Sequence, residues 1–405
     1  MSYVKHVHYN EIQLFSSCKP LLGHLDIELT ERCNNACIHC YINQFENNPD
    51  LKSREMDTTF IKGILQQAAD LGCLTVRFTG GEPLLREDFI ELYTFSRHLG
   101  IQVILFTNAT LITEDLCVLF KHIPPGKPIS VSVYGMHAAS YDAVVRRTGA
   151  FEEFWHGITL LREHEIPFTV KQSLLPQNKD EMDEFETFAS QLPNMEHSPS
   201  YSMNFDLRAR RDNPAKNRAI KRLRLSPGET IAMLARQPDK YINEMQQFVS
   251  KFMMPQGDRL FPCGAGLGTC VDAYGNAQMC TLLRHPATVY SLDEQLHQQR
   301  HPDTSLSPLE YALKIVFPEV RQMRAQNPAY LKRCALCFLR GLCEQCPAKS
   351  WEEHGTLDTP VEYLCEVAHA QARYLGLVKE SEIAWLLPES TWRERIKLFT
   401  LSFEA

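Results

Sequence analysis

The 405-residue chain contains no run of roughly eighteen apolar residues, so no membrane span is expected. Its opening stretch, MSYVKHVHYNEIQLF, lacks the uninterrupted apolar segment of a secretory signal. It also lacks a basic excess. Lys and Arg number 42 against 49 Asp and Glu, for a net charge of −7, which leaves no electrostatic footprint for general nucleic-acid binding. No low-complexity tract or long internal repeat is visible. These absences predict a cytoplasmic protein with neither membrane nor nucleic-acid partner. Hydrophobic residues make up 44% of the chain, enough for a large buried core and too many for a disordered polymer.

What the chain does have is cysteine, and it is clustered. Of 14 cysteines, Cys33, Cys37 and Cys40 share one loop, Cys263, Cys270 and Cys280 form a second group, and Cys334, Cys337, Cys343, Cys346 and Cys365 a third. Cys18, Cys73 and Cys117 are scattered and read as ordinary core or surface residues. A disulfide scaffold fits poorly in a chain this long without a signal peptide. Clustered cysteines in a cytosolic protein are more often metal or cluster ligands.

Residues 25–207 alternate short β-branched runs with helical patterns. Strands are predicted at 25–30, 75–80, 102–108, 128–135, 168–175 and 200–207. Helices are predicted near 58–72, 86–99, 113–121, 151–165 and 180–191. Asp57-Thr58 and Thr113-Glu114-Asp115 read as helix starts, and Gly72 and Gly100 as stops. Six such units in succession imply an α/β fold with a parallel sheet and right-handed crossovers. Periodicity alone does not choose between an open doubly wound sheet and a partial barrel. From 208 to 224 arginines and lysines crowd together, as a solvated linker or a surface for an acidic partner. Ser226-Pro227-Gly228-Glu229 reads as another helix start. Beyond about 255 the chain is rich in Gly, Pro and Cys, which suits a region held together by cluster ligation. A helical pattern returns at 365–375.

The first cysteine group reads Cys33-Asn34-Asn35-Ala36-Cys37-Ile38-His39-Cys40-Tyr41 and follows directly after the first strand. Three thiolates in one tight loop can hold three irons of a 4Fe–4S cube and leave the fourth without a protein ligand. A zinc site would need a fourth ligand, and His39, adjacent to Cys40, is poorly placed to share a tetrahedron with it. The C-x3-C-x2-C pattern with a following aromatic resembles the signature of the radical S-adenosylmethionine (SAM) superfamily. That resemblance implies a partial (β/α)6 TIM-type barrel and catalytic cysteines Cys33, Cys37 and Cys40. It further implies SAM on the open iron, cleaved reductively to methionine and a 5′-deoxyadenosyl radical. The second predicted strand ends in Gly80-Gly81-Glu82-Pro83, which is similar to the family's GGE motif. Two glycines permit close backbone approach, and Glu82 would accept from the cofactor's ammonium. Tyr41, Asn108, Ser132 and Lys171 complete the implied cofactor site at the strand ends, where ligands of parallel βα folds gather. Arg146 and Arg147 are further candidates for the cofactor carboxylate, beside the plainer reading of surface arginines.

The later cysteines resemble a SPASM domain, the cluster-binding module of peptide- and sulfatase-modifying members. Cys263, Gly275-Asn276-Ala277-Gln278-Met279-Cys280, the C-x2-C-x5-C-x2-C run from Cys334 to Cys346, and Cys365 carry the likeness. By itself, that run could equally be a zinc motif. The resemblance implies two auxiliary 4Fe–4S clusters, making three in all. Cys263, Cys270, Cys280 and Cys346 would hold the first, and Cys334, Cys337, Cys343 and Cys365 the second. The two-residue gap between Cys343 and Cys346 is one shorter than usual, and Cys270 has no counterpart in every member. The implied domains are an N-terminal extension (1–22), the radical SAM barrel (23–225), a helical linker (226–254) and a SPASM domain with C-terminal helices (255–405).

The resemblance implies an oxidoreductase that modifies a peptide or protein side chain, served by a flavodoxin- or ferredoxin-type electron donor. Thr281 stands where sulfatase-maturing members carry Asp, which argues against that activity. About 22 residues precede the first strand, too few for an independent peptide-recognition domain, so a separate recognition protein or a small-molecule substrate is implied. The alternatives are a SPASM-type enzyme acting on a haem precursor or other metabolite, and a non-catalytic iron–sulfur electron carrier.

Overall fold

The computed structural model describes residues 21–195, 200–203, 205–266 and 268–401. Cys18 and nearly all of the 1–22 extension lie outside the described residues. Strands β1 (His24–Thr30), β2 (Thr75–Gly80), β3 (Gln102–Thr107), β4 (Ile129–Val133), β5 (Phe168–Ser173) and β6 (Ser200–Ser202) are laid side by side in sequence order, all parallel. The order follows from the connections. Each strand is short, apolar on alternate positions and followed by an amphipathic helix that must return over the same face. In β1, Leu25, Ile27 and Leu29 are buried among the helices, while Asp26, Glu28 and Thr30 alternate onto the opposite, inner face.

Helix starts sit where the sequence places them. Asp57 accepts from the Phe60 amide at 2.7 Å to open Thr58–Asp70, and Thr113 caps Glu114–His122 through the Leu116 amide. Ser226 and Glu229 form a reciprocal capping box at the head of Pro227–Leu234. The predicted fourth helix is Ala150–Glu163, and an additional one, Ala138–Val145, precedes it.

The C-terminal region does not stand apart from the barrel sheet. Strand β7 (Thr269–Val271) adds parallel to β1, with Asp26 opposite Cys270. Strands β8 (Asn276–Gln278) and β9 (Val289–Ser291) continue antiparallel. Among the described residues the result is one nine-stranded sheet, open at β6 and at β9. A second core lies under the C-terminal helices, where Phe338 stacks on Trp392 at 5.3 Å.

A buried ion network ties this hairpin to the barrel. Arg284 donates to both oxygens of Glu28, at 2.7 and 2.5 Å, and to Glu31 at 3.3 Å. Arg210 bridges Glu31 and Asp272 at 2.7 and 2.8 Å. Burial pushes the Glu28 carboxyl up to about 7 against the pull of Arg284. The basic run 208–224 is therefore largely occupied within the protein. Arg208 pairs with Asp212, Arg211 donates to the Trp351 and Glu352 carbonyls, and Arg224 holds Phe205 O and Glu353. Sequence alone could not show this, because the partners lie far away along the chain.

Removing one partner of such a network strands the other as an uncompensated buried charge. Arg284→Met should cost about 3–5 kcal/mol of stability, measured by denaturant unfolding of the metal-free protein. A loss under about 1 kcal/mol, the value of an exposed pair, would show that the network is not a joint between the two regions.

Candidate functional site

The cysteine loop is positioned by backbone contacts before any side chain is considered. Beyond β1, Arg32–Cys33 pairs with Gln44–Phe45 in a two-residue ladder, closing the loop at its base. The end of β2 is pressed against this exit. Gly81 N donates to Thr30 O at 2.7 Å and Glu82 N to Arg32 O at 2.9 Å. A Cβ on Gly80 would meet Thr30 O at 2.1 Å, and one on Gly81 would meet Arg32 O at 2.1 Å. Gly80 also has φ +127°, a conformation other residues avoid. The two glycines are thus required by the approach of β2 to the cysteine loop, a reason the sequence could not supply.

Glu82 is fully buried behind the cavity wall. It accepts from Thr107 Oγ1 and the Asn108 amide, each at 2.8 Å, and from the Leu84 amide at 3.1 Å. Burial lifts its carboxyl to about 7 despite these bonds. The sequence expectation had this carboxylate facing the cofactor; here it fastens the end of β3 to the end of β2. Asn108, so placed, donates to Asn34 Oδ1 at 2.9 Å and to Cys33 Sγ at 3.8 Å.

One cavity of about 470 Å³ opens over these elements. Cys33, Cys37, Cys40, Tyr41, Gly80, Gly81, Asn108, Ser132 and Lys171 all line it. Of the barrel residues singled out from sequence, Glu82, Arg146 and Arg147 are not on its wall. Arg146 and Arg147 lie on a separate cleft on the other side of the loop, where Arg147 is bound to Glu153. The wall also includes Arg77, Thr79, Phe106, Tyr134 and Ser173. Most of these share the two-residue alternation of the strands with predicted site residues (Arg77 and Thr79 on β2, Phe106 with Asn108, Ser173 with Lys171), and that alternation was the available signal.

The surroundings of two of the loop's thiols disfavour the free thiolate. Burial raises the Cys33 thiol well above its ordinary range and lifts Cys37 to about 12, with Cys40 adding to the rise. Amides of Asn35 and Asn43 point at Cys33 Sγ and Cys40 Sγ, at 3.4 and 3.3 Å. Amide donors aimed at the sulfurs fit ligands whose negative charge a metal would balance. His39 is held neutral, its pKa lowered to about 3 by burial and by Lys216, and its ring packs on Tyr134 and Phe205.

The remaining cysteines form two sets. Cys334, Cys337, Cys343 and Cys365 line one small cavity of about 40 Å³. Arg333 donates to Cys365 Sγ at 3.7 Å. Cys263, Cys280 and Cys346 are linked by mutual repulsion of their thiolate forms, Cys263 acting on Cys280 and Cys280 on Cys346. Thr281 and Glu344, beside this set, line the main cavity opposite the cysteine loop. Cys270 lies elsewhere. It is fully buried in β7, and its thiol is raised first by burial and then by Glu28, with Arg284, Asp26 and Asp272 around it. Among the described residues no three His, Cys, Asp or Glu side chains close on a single point as they would around one metal ion.

The family model described as Radical SAM superfamily matches residues 27–189. The chain is 30% identical over 165 residues to an AdoMet-dependent heme synthase of Methanosarcina barkeri, covering 41% of this chain and 46% of that protein. It thus spans less than half the length of that relative and of similarly named ones. It is 25% identical over 343 residues to the antilisterial bacteriocin subtilosin biosynthesis protein AlbA of Bacillus subtilis, covering 82% of this chain and 68% of AlbA. In fold it is similar to Streptococcus suis SuiB bound to the precursor peptide SuiA, with a TM-score of 0.55 at 15% identity, covering 85% and 76% of the two chains.

Gly81→Ala would drive a methyl into Arg32 O. Overpacking of this kind costs about 1–3 kcal/mol, so the variant should unfold at lower denaturant and retain less iron on the Cys33 loop after anaerobic reconstitution. Iron retention equal to wild type would show that the loop does not depend on this approach.

Proposed function

This chain carries a domain of the radical SAM superfamily, and from that premise we propose that it is an enzyme that modifies a peptide or protein side chain by hydrogen abstraction. One observation supports the reading above all. The cysteine loop, the Gly80-Gly81 turn, the strand-end polar groups and, from the cysteine-rich region, Thr281 and Glu344 border a single chamber. An electron carrier needs exposed clusters and no such chamber.

Cys33, Cys37 and Cys40 would hold the cluster that binds SAM, and Tyr41, Gly80, Gly81, Asn108 and Ser132 would contact the cofactor. When bound, the reduced cluster supplies the electron that splits SAM into methionine and a 5′-deoxyadenosyl radical. The protein's own part is positional. Glu82 fixes the ends of β2 and β3, Asn108 steadies Cys33, and Tyr134 and Phe205 wall the chamber with apolar surface that shields a radical. Cys334, Cys337, Cys343 and Cys365 would carry one auxiliary cluster. Cys263, Cys280 and Cys346 would carry the other, beside the chamber. The division into 23–225, 226–254 and 255–405 stands as part of this proposal. So do a flavodoxin- or ferredoxin-type donor and a separate recognition protein.

The peptide reading draws on relatives named for bacteriocin biosynthesis and on the SuiB–SuiA likeness. A second reading, action on a haem precursor, draws on the relatives named heme synthase, matched over about two fifths of this chain.

Reduced, reconstituted protein should release 5′-deoxyadenosine from SAM, and Cys37→Ala should abolish it. Cleavage that survives in Cys37→Ala would refute the assignment. Three cubes correspond to about twelve irons per chain. Cys270→Ser should keep the wild-type iron content, whereas Cys343→Ser should lose about four irons. An equal loss in both would return Cys270 to the ligand set.

A further inference from the structure

We propose that the cleft behind the cysteine loop is the docking surface of the electron donor, a small acidic one-electron carrier protein. The inference rests on the reading of the Cys33 loop as the seat of the reduced cluster.

The loop is a thin partition. Cys33, Cys37 and Asn43 line both the chamber and a cleft of about 940 Å³ on the loop's other side. The chamber, at about 470 Å³, has the size of a small-molecule site and no room for a protein. A protein donor that serves this loop directly must do so from behind, which also leaves the chamber closed around its radical. That side offers what an encounter surface needs. Cys33 pairs in register with Phe45, whose ring is 67% exposed beside the cleft. An exposed aromatic ring is a ready anchor for a partner.

Charge identifies the partner. The cleft is lined by four cations, Arg146, Arg147, Arg208 and Lys216, against two carboxylates, Glu46 and Asp212. Arg208 is spent on Asp212, and Arg147 on Glu153. Arg146 is exposed, and its side chain has no ion pair or hydrogen bond among the described residues. On the helix Pro214–Leu223, Ala215 and Ala219 line the cleft. Arg218 and Arg222 follow them by three positions, on the adjoining stripe. Both are exposed and unpaired among the described residues. A basic patch on a chain of net charge −7 draws an acidic surface to one place, while the rest of the molecule repels it.

The cleft beside Cys365 is the competing entry, because that cysteine would serve an auxiliary cluster. Its two arginines are both occupied, Arg333 by Glu362 and Arg373 by Glu380, and Glu366 adds a further negative charge. It offers an acidic carrier no unspent cation. In the transfer itself the donor loses one electron, and the cluster that Cys33, Cys37 and Cys40 would hold gains it. No atom is exchanged.

The probes are an acidic flavodoxin and an acidic ferredoxin, each oxidised, titrated calorimetrically into anaerobic holoprotein at low salt. At least one should bind, and added salt should weaken it. The double variant Arg218→Glu/Arg222→Glu should bind about tenfold more weakly, as expected for two reversed surface charges. Arg218→Lys/Arg222→Lys should stay within about threefold of wild type, which separates loss of charge from loss of fold. Ile383→Asp, on the Cys365 cleft, should bind like wild type. Unchanged affinity in the double glutamate variant overturns the proposal. So does a loss confined to Ile383→Asp, or binding of neither probe. Dithionite, which needs no docking surface, judges the underlying reading separately. Protein that binds the donor through Arg218 and Arg222 but releases no 5′-deoxyadenosine with dithionite would keep the docking surface and discard the radical chemistry.

Discussion

The approach of β2 to the exit of β1 is the constraint on which the site depends. Two backbone hydrogen bonds, Gly81 N to Thr30 O and Glu82 N to Arg32 O, hold the Gly-Gly turn against the start of the cysteine loop. No side chain fits between them. Glu82 then carries the contact to β3 through Thr107 and Asn108, and Asn108 reaches back to Cys33. Three strand ends and one loop are thereby fixed by a chain of short polar contacts in a dry environment, where hydrogen bonds are strong and unmet ones costly. A cluster loop built this way can be ordered before metal arrives.

The second feature is how the cysteine-rich region is attached. It continues the barrel sheet through β7 and is clamped by Arg284 and Arg210 onto Glu28, Glu31 and Asp272. Glu31 belongs to the same β1 exit that supports the cysteine loop. The relative placement of the loop and the Thr281 wall is therefore set by a shared element, and a chamber bounded by both can keep a defined width.

The sequence disclosed much of this and missed it in instructive places. Strand β2 was legible residue for residue, because it is apolar on one face and ends in glycine. The strand predicted at 128–135 is shorter, Ile129–Val133, because a proline starts it and Gly135 packs against Ser140. The three-cysteine loop was legible from spacing. The role of Glu82 was not, since a carboxylate after two glycines looks the same whether it turns to a ligand or to Thr107. Cys270 shows the same limit. Spacing counts residues but not surroundings, and only the pairing of β7 with β1 brings its thiol beside Glu28, Arg284, Asp26 and Asp272. Arg77 and Lys171 meet over Phe106 only because three strands separated by long helices are brought into one sheet, which no local pattern reports.

In the proposed reading the Cys33 loop would hold an open-iron cluster, with SAM bound beside the Gly80-Gly81 turn. Pulsed electron-nuclear double resonance tests it most directly, on reduced protein in which the auxiliary cysteines are replaced and only this cluster remains, with SAM labelled by 15N in its amino group. The account predicts a resolved 15N coupling to the cluster that disappears when SAM is omitted. A reduced cluster that shows no coupling with SAM at saturation would contradict it.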